Sequence, residues 1–98
     1  MMHPVFVRYT AHPGEEAAME QLVRRHWPVL HAEGLVTNAP PRVIRVARQP
    51  GVFLETYEWA SWEAVSTAHD YPAVREIWDA METVGRVEPW DGEYLEPL

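Results

Sequence analysis

The 98-residue sequence contains no cysteine and no lysine; all eight of its basic residues are arginine. Without cysteine there is no disulfide, no thiolate nucleophile and no thiolate metal site. Without lysine there is no Schiff-base catalysis and no lysine general base. Positive charge is scarce altogether. A net charge of −7 leaves no basic stripe to neutralise phosphates, which argues against a nucleic-acid partner. No apolar run approaches the roughly 20 residues of a membrane helix. Met1-Met2-His3-Pro4 carries neither the basic region nor the apolar core of a secretion signal. With disulfides absent as well, the expected location is the cytoplasm, away from membranes.

What is present is a globular composition, 47% hydrophobic and 23% charged, in a chain the size of one domain, residues 1–98. Five tryptophans are many for a core this thin, so they fill it, line a pocket or cover an interface.

Residues 5–10, Val-Phe-Val-Arg-Tyr-Thr, read as a strand buried on one face and partly on the other, with Arg8 breaking an otherwise apolar set. His12-Pro13-Gly14 ends it, and Glu15-Glu16 suit the positive end of a following helix. Met19, Leu22, Val23, His26, Trp27 and Leu30 form an amphipathic stripe. Pro28 predicts a kink or an early end, and Gly34 a terminator. Residues 42–48 and 52–59 are expected to pair as a hairpin through Pro50-Gly51. On the second of these strands Phe53, Glu55, Tyr57 and Trp59 share one face. Ser61 is a natural N-cap, and Pro72 opens another helix with Val74, Ile77, Trp78 and Met81 as its stripe. Residues 89–92 read as a turn and 93–96 as a short last strand.

Strand, helix, strand, strand, helix, strand is the split βαβ, or ferredoxin-like, α+β arrangement: a four-stranded antiparallel sheet with helices on one face. Its other face would then expose Val5 and Val7, or Leu54 and Val52, and exposed apolar sheet needs a cover. A second copy of the chain, packed sheet to sheet, is the simplest one, so a homodimer is expected.

Glu58-Trp59-Ala60-Ser61, then Ala68-His69 and Pro72, together with Pro13-Gly14-Glu15 after the first strand, resemble the antibiotic biosynthesis monooxygenase family of dimeric α/β barrels. With the element order, the resemblance spans nearly the whole chain. It implies a ligand pocket in each subunit between sheet and helices. It also implies relatives that include oxygenases acting on quinols and anthrones without a cofactor, haem-degrading enzymes, and proteins without an assigned role. Two departures stand out. In many relatives the helix histidine follows the strand tryptophan by nine residues, whereas His69 follows Trp59 by ten and Ala68 holds the ninth place. One residue is about 100° around a helix. The acid expected two residues before the tryptophan is Tyr57, with Glu55 and Glu58 on either side. The haem-degrading branch uses an asparagine on the first strand; the only asparagine here is Asn38.

His69 is either a general base that removes a phenolic proton or a half-buried helix histidine with a structural partner, and the one-residue offset favours the second. Arg8 either holds a ligand's enolate or carboxylate or pairs with Glu55 or Glu58 across the sheet. Trp59 sits where a pocket mouth is expected, Trp62 covers a helix start, and Trp27 and Trp78 lie in helical stripes that favour core. His26 and His31, five apart, do not form the i, i+4 pair of a helical zinc site, so no metal is expected.

The leading expectation is a small dimeric pocket protein that oxidises or rearranges a small aromatic or enolisable compound with no metal or flavin cofactor. His69 would accept the proton and Arg8 or Tyr57 would steady the anion. Trp59, Trp62, Trp78 and His26 would complete the ligand site. The alternative is a dimer that binds a small hydrophobic ligand without catalysis. Haem binding through His69 or His26 is a third reading.

Overall fold

Alternation along the first strand decides the layering. In the computed structural model, which describes residues 3–90 and Leu98, strand β1 (His3–Ala11) buries Val5, Val7 and Tyr9 and turns Phe6, Arg8 and Thr10 the other way. Helix α1 (Glu16–Ala32) lays Met19, Val23, His26 and Leu30 on the buried side, at the three- and four-residue intervals of one helical stripe. Pro28 neither ends this helix nor stops its stripe; the helix runs on to Ala32. Pro28 is exposed, so the Arg24 carbonyl it leaves without a donor lies on the solvent side. Burial of His26 and Leu30 on either side of it holds the helix together. Gly34, at φ 72°, ends it. The Gly34 N–H donates to the His31 carbonyl and the Leu35 N–H to the Leu30 carbonyl, the Schellman arrangement.

Strands β2 (Arg42–Arg45) and β3 (Val52–Trp59) form the expected hairpin. β2 is shorter than the predicted 42–48, because the Gln49 N–H bonds back to the Val46 carbonyl and starts the turn early. Glu20 on α1 pairs with Arg45 of β2 and with Arg24. These hydrogen bonds hold the Glu20 carboxyl below its ordinary range. The Ser61 hydroxyl accepts from the Ala64 N–H at 3.0 Å and caps α2 (Trp62–Thr67), as its residue type predicts. A 3₁₀ turn, Ala68–Asp70, follows, and Pro72 occupies the first turn of α3 (Pro72–Val84).

The last strand is a correction. β4 is Gly85–Trp90, directly after α3 and antiparallel to β1. The predicted turn at 89–92 is therefore displaced at its start, and the predicted strand at 93–96 lies outside the described residues. Pro89 misled the prediction. It pairs opposite Val7 on an edge strand, the one place in a sheet where a missing N–H is tolerated.

The sheet order is β2-β3-β1-β4, antiparallel throughout, with α1 and α3 packed together on one face. This is the ferredoxin-like α+β arrangement predicted from the element order. Val5 and Val7 face the helices. Leu54 and Val52, joined by Phe6 and Ile44, occupy the face that no helix among the described residues covers. No helix among the described residues is long and apolar enough to cross a membrane.

Candidate functional site

Four side chains from four elements meet under the helices. Glu55 of β3 is fully buried. His26 of α1 places Nδ1 2.8 Å from the Glu55 Oε1, and the Tyr9 hydroxyl of β1 donates to the same oxygen at 2.6 Å. On the far side of the imidazole, the Trp78 indole N–H of α3 donates to Nε2 at 2.8 Å. An indole only donates, so Nε2 accepts and the ring proton resides on Nδ1, directed at Glu55. The 3.1 Å approach of the Tyr9 hydroxyl to Nδ1 then joins two donors, and the hydroxyl's proton belongs to the carboxylate. Glu55 Oε2 is buried with no partner among the described residues. Two donors, the Tyr9 O–H and the His26 N–H, converge on Oε1, the arrangement that suits a carboxylate.

Burial, and then the Glu55 charge, push the Tyr9 hydroxyl well above the ordinary tyrosine range; the same two causes act in the same order on Tyr57. In the unfolded chain both phenols ionise near pH 10. Their contribution to stability is therefore complete below about pH 10 and is lost as the pH rises towards the folded-state values. In an alkaline titration, the tyrosinate absorbance of these two residues should appear together with loss of the circular dichroism signal. Ionisation of both while the dichroism remains native would contradict this environment.

Against this network lies a pocket of about 310 Å³, near the lower end of small-molecule sites. Val5, Val7 and Met81 supply apolar wall, and Tyr57, Trp59 and Trp78 supply aromatic wall. Tyr57 and Trp59 meet edge to face at 5.4 Å. The Tyr57 ring is buried, and its hydroxyl has no hydrogen-bond partner among the described residues. His69 is on the lining too but exposed, its ring edge-on to Trp78 at 4.9 Å. The one-residue offset is resolved by the 3₁₀ turn: Ala68 takes the buried position and His69 stands at the mouth.

Of the residues singled out in the sequence, the fold brings His69, Tyr57, Trp59, Trp78 and His26 to this pocket. Arg8 and Trp62 are not among them. Arg8 falls between Val7 and Tyr9, so the pleat sends it to the opposite face, in register with Leu54 and Glu88 rather than beside Glu55 or Glu58. There it borders a separate concavity with Phe6 and Leu54. Trp62 is 47% exposed and packs on the His3 ring at 4.1 Å. Trp78, favoured as core by its stripe, packs against the core and also lines the pocket, where its N–H fixes the His26 tautomer. Sequence reasoning missed Tyr9 and the role of Glu55. The signal was a lone acid on the face shared by Phe53, Tyr57 and Trp59, where only a buried partner can accommodate it.

No family model matches the chain, and no curated protein matches it. Solved structures do. SnoaB, a cofactor-independent oxygenase from Streptomyces nogalater, in a single-substitution variant, superposes with a TM-score of 0.77 at 16% identity, over 92% of this chain and 89% of that one. A protein named antibiotic biosynthesis monooxygenase gives 0.77 at 14% identity, over 100% and 99%. PA3566 from Pseudomonas aeruginosa gives 0.79 at 16% identity, over 99% and 94%. The resemblance is thus matched in fold: the chain has the ferredoxin-like fold of the antibiotic biosynthesis monooxygenases.

Proposed function

We propose that the chain is a homodimeric oxygenase that needs no cofactor and acts on a small aromatic compound with an acidic C–H or phenolic O–H. One observation carries the reading. A pocket walled by aromatic rings brings an exposed imidazole, His69, together with a buried, neutral and unpartnered phenol, Tyr57. Its volume suits a two- or three-ring compound. The apolar sheet face formed by Phe6, Leu54 and Ile44 supports the dimer, since a second copy would cover it.

The chemistry balances with molecular oxygen as co-reactant. His69 removes a proton from a CH₂ group beside a ring ketone, and the Tyr57 hydroxyl donates to the enolate oxygen that results. The electron-rich carbon passes electrons to O₂ and forms a C–O bond. The hydroperoxide then gains a proton and loses water. In sum, R₂CH₂ and O₂ give R₂C=O and H₂O, with all four electrons drawn from the substrate.

Oxygen uptake with anthrone and with dihydroxynaphthalenes tests this, using protein whose sedimentation mass is that of two chains. His69→Ala should lower kcat by about 10²-fold or more, and Tyr57→Phe by a comparable factor, with fold and dimer kept. Wild-type rates in His69→Ala would sink the assignment. Tight binding of these compounds without any oxygen uptake would favour the second reading, a ligand-binding dimer. That reading draws support from the Trp78 N–H, which already occupies the inner lone pair of His26.

A further inference from the structure

The pocket has a charge preference. Among the described residues its lining includes no arginine, and the chain has no lysine. Its histidines are His69 at the mouth and His26, whose Nε2 is taken by Trp78 and whose Nδ1–H is given to Glu55. No fixed cation, arginine or lysine, therefore faces the cavity among the described residues. Negative charge does. The Glu55 carboxylate lies one hydrogen bond behind the lining, through both Tyr9 and His26, and is sealed from water. Glu82 adds a second acid at the exposed rim. The single arginine that might have balanced them, Arg8, is on the opposite face of the sheet.

From this arrangement we infer that the pocket admits uncharged and cationic aromatic ligands and rejects anionic ones. An entering carboxylate gives up its hydration, finds no fixed cation to replace it, and feels the repulsion of a charge that solvent does not screen. An ammonium group gains the attraction of the same charge, and the faces of Trp59, Trp78 and Tyr57 suit it as well. An uncharged compound with an acceptor oxygen has the free Tyr57 hydroxyl to meet it. The inference rests on the pocket proposed above as the ligand site, though not on its being catalytic.

Three probes of one shape separate the possibilities: 1-naphthalenemethanol, 1-naphthylmethylammonium and 1-naphthoate. Their affinities for the dimer can be measured by quenching of tryptophan fluorescence and checked calorimetrically. The alcohol and the ammonium compound should bind, and the naphthoate at least about tenfold more weakly than the alcohol. The gap should persist in about 1 M salt, where the screening length is roughly 3 Å and the surface charge of the chain no longer acts at a distance. In Glu55→Gln, which keeps the side chain's size and an acceptor oxygen, the gap should shrink by roughly tenfold while the alcohol's affinity changes little. Naphthoate binding within about threefold of the alcohol overturns the inference and leaves the pocket standing. So does a gap that vanishes in high salt, or one unchanged in folded Glu55→Gln. Binding of none of the three removes the pocket itself and the proposed function with it.

Discussion

Replacing Gly85 with alanine should lower the melting temperature by roughly 10–20 °C, the largest effect expected from adding one methyl group to this chain. A Cβ at Gly85 would lie 2.3 Å from the Thr10 carbonyl oxygen, 2.9 Å from the Ala11 Cα and 2.7 Å from the Met19 Cε. The methionine tip can swing away, but the two backbone atoms cannot. They belong to β1, which is held on both sides by β3 and β4. The backbone at Gly85 is extended, φ 176°, so any residue could adopt its dihedral angles; the obstacle is space alone. Relief requires β4 to move off β1 or α1 to tilt. Overpacking of this kind costs about 3 kcal/mol or more, against a total of about 5–15 kcal/mol for a domain of this size. Each kcal/mol corresponds to about 4–8 °C at this length. Thermal denaturation followed by circular dichroism measures the shift. A loss under about 4 °C would mean that the junction between α3 and β4 is looser than the close approach implies.

His26→Leu should be nearly as damaging, for an electrostatic reason. Leucine fills much of the same space, so packing changes little. What remains is a fully buried Glu55 carboxylate with Tyr9 as its one donor, and a Trp78 N–H without its acceptor. Removing a donor from a buried, charged acceptor costs about 1–3 kcal/mol or more, mostly because the carboxylate is left short of a partner. Removing both is milder, since the stranded charge disappears as well. The double variant His26→Leu/Glu55→Leu should accordingly be at least about 1 kcal/mol more stable than His26→Leu alone, a coupling that urea denaturation resolves. If His26→Leu came within about 1 kcal/mol of the parent chain, the carboxylate would have to be stabilised by something other than the imidazole.

These two sites differ in how visible they were beforehand. The stripe containing His26 and the face containing Glu55, Tyr57 and Trp59 follow from the helical and strand periods alone. That the stripe and the face meet at a hydrogen bond does not, because His26 and Glu55 are 29 positions apart and any of several inward residues might have been the partner. Gly85 gave no signal. Only the approach of β1 from the other end of the sequence makes it indispensable. Pro89 carried a signal that pointed the wrong way, since proline marks a turn in most settings and an edge strand in few.

Element order, alternation and the spacing of Trp59, His69 and Pro72 were determined by the sequence, because each depends on neighbours within a few residues. The ferredoxin-like topology followed from them. Strand parity likewise assigned Arg8 to the face opposite Tyr9, although which of the two faces the helices would cover was open: both were apolar enough. Tertiary packing made that choice, and with it removed Arg8 and Trp62 from the pocket. It also brought Tyr9, Glu55, His26 and Trp78 into one hydrogen-bonded chain and set the imidazole's tautomer. Such a buried polar network depends on donors and acceptors matched to within tenths of an ångström across four elements, and periodicity carries no information of that kind.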